Sequence, residues 1–222
     1  MGRQILGGKG IDLIEALQKA RLYVICDLGY LSPETALPVS RQLLAGGGGI
    51  LQLRAKGHEP DRLIDLAVQL RELCEEFGVP FIVNDHLELA KKCGATGVHL
   101  GQEDGSLAGA RATLGPQALV GRSTHSLAQA RGALAEGADY IGFGPLFSTP
   151  TKPTYAPIGV EEIRTVHAEH PDLPIFCIGG IKRENLPAVV DAGAKRAVIV
   201  SGILQAPDIA AYVRDARALL PA

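Results

Sequence analysis

No pair of cysteines in this chain has CxxC spacing, although four are present among its 222 residues. Cys26, Cys74, Cys93 and Cys177 lie far apart in apolar stretches and read as buried, reduced thiols. No run of Pro, Gly or Ser is long enough to make a linker, and no segment is of low complexity. The four glycines at 46–49 come nearest, but they fall between a helical and a strand-like stretch, where a helix stop and tight turn account for them. Charge of either sign is not in excess: 22 basic and 24 acidic residues leave a formal charge of -2. That balance argues against nucleic acid or anionic membrane as the main partner. The amino terminus has no hydrophobic signal core, and no apolar run approaches the ~20 residues of a membrane span. A cytoplasmic location is expected.

What the sequence does contain is a strict alternation of short apolar runs and helical periodicities. Apolar runs at 22–26, 50–53, 81–83, 98–100, 119–121, 140–143, 175–178 and 197–200 read as strands. Between them, Leu63, Leu66, Leu70, Leu73 and Phe77 recur at helical spacing. Ser32-Pro33 supplies a helix cap followed by proline at the first helical position. Ser126 with Gln129 forms a capping box. Further helices are expected at 87–93, 107–114, 160–169 and 184–191, with a last one burying Ile209, Val213, Ala216 and Leu220. Eight strands each followed by a helix imply a parallel sheet with right-handed crossovers. That many units in so few residues favour α/β architecture as one closed (β/α)8 barrel at 21–222. Residues 1–20 are an N-terminal extension with an extra helix at 11–17, placed to cover the barrel floor.

Such a barrel carries its site on the loops that leave the carboxyl ends of the strands, and the polar residues collect there. The second strand ends in Gln52-Leu53-Arg54-Ala55-Lys56, where alternation puts Gln52, Arg54 and Lys56 on one side. Cations just ahead of a helix start are disfavoured by its dipole and call for an anion. Asn84-Asp85 and the stretch from Gly101 to Asp104 offer two neighbouring acidic ends, a magnesium pattern when phosphate oxygens complete the shell. Each aspartate alone reads rather as a helix cap. Ser123-Thr124-His125 ends the fifth strand. His125 stands either as a base or as a packing residue before the Ser126 cap. After the sixth strand, Thr149, Thr151 and Lys152 place two hydroxyls and an ammonium within four residues, a set suited to an oxyanion. The connection 144–157 is long for a βα loop, and a mobile lid is expected there. Gly179-Gly180 and Val200-Ser201 end strands seven and eight, where barrels bind phosphate.

These motifs resemble, in order, those of the thiamine-phosphate synthase family: QxRxK at 52–56, ND at 84–85, GVHLGQxD at 97–104, S-T-H at 123–125, TxTK at 149–152, GGI at 179–181 and V/I-S at 200–201. The resemblance implies a TIM barrel that joins 4-amino-2-methyl-5-(diphosphooxymethyl)pyrimidine to 4-methyl-5-(2-phosphoethyl)thiazole, giving thiamine phosphate and pyrophosphate. It implies that Gln52, Leu53, Arg54, Ala55, Lys56, Asn84, Ser123 and Lys152 hold the pyrimidine diphosphate, with Arg54, Lys56, Ser123 and Lys152 serving catalysis. Asp85 and Asp104 would carry Mg²⁺. Thr149, Thr151, Gly180, Val200 and Ser201 would hold the thiazole phosphate. Ala55 stands where glutamate is often found.

Two rival readings use the same barrel. A thiazole tautomerase-like isomerase would have no use for Arg54, Lys56, Asp85, Asp104 and Lys152. A non-catalytic sensor of thiamine phosphate would need an output domain that the sequence does not show. Partners are expected to be small phosphorylated molecules, and homodimerisation is left open.

Overall fold

The structure, a computed structural model, describes residues 12–149 and 156–221. Eight parallel strands, β1 (Leu22–Asp27), β2 (Ile50–Arg54), β3 (Phe81–Asn84), β4 (Gly97–Leu100), β5 (Leu119–Thr124), β6 (Tyr140–Phe143), β7 (Ile175–Cys177) and β8 (Ala197–Ile199), close into a barrel in sequence order. The closing seam pairs Val24 of β1 with Ile199 of β8. Helix α1 (Leu13–Lys19) precedes β1, and α2 (Pro33–Ala45), α3 (Ile64–Phe77), α4 (Leu87–Cys93), α5 (Leu107–Leu114), α6 (Leu127–Ala135), α7 (Ile163–Glu169) and α8 (Leu186–Asp191) each follow a strand. After β8 come the short α9 (Ser201–Leu204) and the closing α10 (Ile209–Ala218). Among the described residues, no helix is long and apolar enough to cross a membrane.

Strand alternation sorts the side chains into two cores. Val24, Leu51, Leu53, Phe81, Val83, Val98, Val120, Ile141, Ile175 and Ile199 point outward and pack under the helices. Tyr23, Ile25, Ile50, Ile82, Leu119, Tyr140, Phe176 and Val198 point inward and fill the barrel. Leu17 and Ala20, with Leu13 and Ile14 beside them, belong to this inner core. The amphipathic α1 therefore closes the floor of the barrel, and what looks in sequence like an appendage is part of the packed interior. Asp12 caps it, its carboxylate accepting from the N–H groups of Ile14 and Glu15, both at 3.0 Å.

Most boundaries fall within a residue or two of the expected ones. Helices α4 and α5 span the expected residues. The capping box forms with an offset: Ser126 Oγ accepts from Gln129 N at 3.2 Å, while the Gln129 amide oxygen accepts from His125 N at 2.7 Å. Two elements go beyond the periodicity reading. A 3₁₀ turn at Pro60–Leu63 leads into α3, and α9 is too short to show a repeat. Helix α7 begins at Ile163 rather than near 160.

Candidate active site

The inner faces of the strands leave a cavity of about 90 Å³ at the carboxyl end of the barrel. Its floor is aromatic. Phe176 meets Tyr23 edge-on at 5.3 Å and Tyr140 edge-on at 5.9 Å between ring centres, and His99 stacks on Tyr140 at 5.5 Å. Inward-facing glycines make this floor possible. A methyl group on Gly121 would strike the Tyr140 ring and lie 2.6 Å from His99 Nδ1. One wall is polar: Gln52 Nε2 donates to the Tyr23 hydroxyl at 2.8 Å, and the Tyr23 and Tyr140 hydroxyls bond to each other at 3.1 Å. Burial raises the pKa of both tyrosines, so they stay neutral donors. Opposite them, Ser123 Oγ and His99 Nε2 share a hydrogen bond of 3.0 Å. An apolar floor with a few fixed donors suits a flat heteroaromatic ring.

Charge is arranged above this floor, at the ends of the strands. Asp27, fully buried at the end of β1, lies beside its register partner Arg54 of β2. Arg54 Nη1 donates to both Asp27 oxygens, at 3.0 and 2.9 Å. Asp27 Oδ1 also accepts from Gly29 N at 2.9 Å. Lys56 Nζ lies 3.3 Å from Asp85 Oδ2. Asp85 adopts a left-handed conformation, with φ of 60°, and its N–H donates to the His99 carbonyl at 2.9 Å. Burial raises the Asp85 pKa, the Asp104 carboxylate beside it adds to the rise, and Lys56 opposes it. Asp104 Oδ2 accepts from Gly101 N at 2.8 Å, and the Gly101 carbonyl accepts from the buried Arg122 at 2.6 Å. The loop after β4 is thus pinned to β5.

The remaining wall comes from β6, β7 and β8. Thr149, Gly179, Gly180, Val200 and Ser201 all line the cavity. Gly180 has φ of 65°, and a methyl group there would lie 2.7 Å from Phe147 Cβ and 2.7 Å from the Ser148 carbonyl. A side chain at Gly180 would displace the β6 loop as well as intrude on the cavity. His125 bonds through Nδ1 to the Gly144 carbonyl and also faces the cavity.

The expected site residues thus divide. Gln52, Arg54, Asn84, Ser123, Thr149, Gly180, Val200 and Ser201 line one cavity. Lys56, Asp85 and Asp104 gather on its rim at β2, β3 and β4. Leu53 and Ala55 turn their side chains into the outer core, so only their backbone could meet a ligand there. Thr151 and Lys152, with the rest of segment 150–155 of the expected lid, lie outside the described residues. Sequence reasoning missed Asp27, Tyr23, His99 and Tyr140. Their signal was parity: each shares the inward face with a recognised neighbour, as Asp27 does with Arg54 and His99 with Asn84. Among the described residues, no group of three or more His, Cys, Asp and Glu side chains gathers as a metal centre.

The profile of the family described as thiamine monophosphate synthase matches residues 22–203. The chain belongs to the thiamine monophosphate synthase family. A family member from Chloroflexus aurantiacus, named thiamine-phosphate synthase, is 40% identical over 201 residues, which cover 90% of this chain and 92% of that protein. The thiamine-phosphate synthase of Gloeobacter violaceus is 46% identical over 200 residues, but the matched part is 57% of its length. That of Nostoc is 44% identical, with 53% of its length matched. The chain therefore spans little more than half of these two relatives. Among solved structures, a thiamine phosphate pyrophosphorylase from Pyrococcus furiosus superposes with a TM-score of 0.81 at 32% identity, over 91% of this chain and 96% of that one. Family membership agrees with the closed barrel.

Proposed function

We propose that this protein joins 4-amino-2-methyl-5-(diphosphooxymethyl)pyrimidine to 4-methyl-5-(2-phosphoethyl)thiazole, forming thiamine phosphate and releasing pyrophosphate. One observation carries the reading: a ring-sized cavity with an aromatic floor opens between two separate polar rims, one cationic and acidic at β2–β4, one hydroxyl- and glycine-rich at β6–β8. The pyrimidine lies on the floor, its amino group and ring nitrogens facing Gln52, Tyr23 and the His99–Ser123 pair. Its diphosphate reaches the first rim, where Arg54, Lys56 and Asn84 meet it, joined by Lys152. The thiazole phosphate reaches the second, toward Thr149, Thr151, Gly180, Val200 and Ser201.

Loss of pyrophosphate leaves positive charge on the methylene carbon, which the amino-substituted ring delocalises, and the thiazole nitrogen then forms the new C–N bond. No protein nucleophile is needed. The chain holds the two rings within reach, and its cations oppose the charge that grows on the departing diphosphate. Asp85 and Asp104 fit a magnesium ion: two adjacent carboxylates, one with its pKa raised by burial and further by the other beside it, form an acidic pair that a divalent cation would suit. When bound, Mg²⁺ supplies charge neutralisation of the leaving group. Asp27 holds Arg54, and the pinned loop holds Asp104, so neither has to be ordered at the moment of reaction.

A pyrophosphate-release assay with each substrate omitted in turn tests the reading. Release that needs both substrates and a divalent cation supports it. Release from the pyrimidine alone at the same rate would make the protein a hydrolase, and conversion of a thiazole alone would make it an isomerase.

A further inference from the structure

Lys56 makes a contact that a place beside a diphosphate does not explain. Its ammonium sits 3.3 Å from Asp85, and Asp104 is adjacent to Asp85, so a protein cation already occupies the surroundings of the two aspartates. We propose that Lys56 is the resident counter-ion of the Asp85–Asp104 pair, and that it holds off divalent metal until a diphosphate arrives to draw the ammonium away. This rests on the reading of those two aspartates as the metal ligands.

Both carboxylates are fixed in advance. Asp85 is set by its left-handed backbone and the bond from its N–H to the His99 carbonyl. Asp104 is set by the bond it accepts from Gly101 N. Two carboxylates held together in partial burial repel each other and need positive charge nearby. Lys56 supplies it from a long stem whose side chain is 53% exposed, whereas that of Asp85 is 18% exposed. An ion pair so open to water is weak and easily exchanged. Gly57 follows directly with φ of 81°, so the chain turns away immediately after the lysine.

The consequence is an order of binding. A divalent ion entering alone meets a like charge on Lys56 and gains only what is left of the aspartate field. A diphosphate brings enough negative charge to engage Lys56 and the metal together. Metal and diphosphate then strengthen each other's binding by the same factor, as linkage requires.

Mn²⁺ serves as the probe, followed by water-proton relaxation, which distinguishes metal on the protein from metal on free pyrophosphate. Wild-type protein should bind Mn²⁺ weakly alone and more tightly with inorganic pyrophosphate. Lys56→Gln should bind Mn²⁺ alone on the order of tenfold more tightly, the scale of removing one charge beside a divalent ion at a solvated rim. Lys56→Arg, which keeps the charge, should remain like wild type. Lys182→Gln removes an exposed cation on the β7 side of the barrel and should change binding by less than about twofold. Unchanged or weaker binding by Lys56→Gln, with the wild-type ternary complex intact, overturns the proposal and leaves the metal assignment standing. Equal tightening by Lys56→Gln and Lys182→Gln overturns it as well, since net charge alone would then suffice. Absence of Mn²⁺ from the protein with or without pyrophosphate overturns both.

Discussion

Replacing Asp27 with Asn removes a charge that no ligand would touch, yet it should damage the site through Arg54. Asp27 is fully buried, and the Arg54 side chain is 13% exposed. Truncating one member of a fully buried ion pair costs about 3–5 kcal/mol, because the other charge is left without compensation. Arg54 opens toward the cavity and Asn can still accept from Gly29, so the cost here should be lower, about 2–3 kcal/mol. At about 2–4 °C per kcal/mol for a domain of this size, the thermal midpoint should fall by about 4–12 °C. With its guanidinium no longer held, Arg54 should lose its aim, and kcat/KM for the pyrimidine diphosphate should drop by about 10–100-fold, or about 1.4–2.7 kcal/mol of transition-state binding. The assay is a double-mutant cycle with Arg54→Met, read in both stability and kcat/KM. If Asp27 acts through Arg54, the two losses overlap by at least about 1.5 kcal/mol, and Asp27→Asn has little further effect on turnover once Arg54 is gone. Additive losses in kcat/KM would refute a positioning role.

Gly121→Ala should shrink the cavity from below, because its methyl group meets Tyr140 and His99; we expect about 1–3 kcal/mol of destabilisation and a KM rise confined to the pyrimidine, and equal effects on both substrates would count against the ring lying on that floor. Asp85→Asn or Asp104→Asn should remove most activity and respond partly to excess Mg²⁺, whereas wild-type rates in trace magnesium would end the metal assignment. Lys152→Ala should lower kcat strongly while stability changes within roughly 0.5 kcal/mol; unchanged turnover would remove it from the reaction. His167, buried on α7 with no hydrogen-bond partner for Nε2 among the described residues, has its pKa lowered from 6.5 to about 4 by burial, with Lys195 and Arg196 adding to the effect. The unfolded chain takes up this proton below about pH 6.5 and the native one refuses it until about pH 4, so stability is lost as pH falls through that window. His167→Gln should flatten the stability profile there by about 2 kcal/mol, and parallel profiles would show that another group is responsible.

The barrel was legible because its strands are short, apolar and separated by helical repeats, and because closure follows from their number. The polar strand ends were legible for a related reason: alternation marks Gln52, Arg54 and Lys56 as one face, and Asn84-Asp85 breaks an apolar run. The residues beneath them were not. Tyr23 and Tyr140 are hydrogen-bonded across 117 positions of sequence, a contact made only when the barrel closes. His99 sits between Val98 and Leu100, whose burial under the helices makes the whole strand read as apolar core. Asp27 ends a strand whose outward residues do the same. Gly180 lines the cavity as its motif position suggests, and its left-handed backbone against Phe147 and Ser148 adds a structural demand for glycine that the sequence does not reveal. Replacing it with Val would not isolate the phosphate subsite, and Ser201→Ala is the cleaner probe.

The most direct test of the central claim is a phosphorus NMR time course of the purified protein with both proposed substrates and Mg²⁺. The account predicts that the diphosphate resonances of the pyrimidine give way to free pyrophosphate in step with the shift of the thiazole monoester to that of thiamine phosphate, one for one, and that neither change occurs when a substrate is left out. Pyrophosphate appearing without the monoester shift, or no change with well-folded protein and both substrates present, would contradict it.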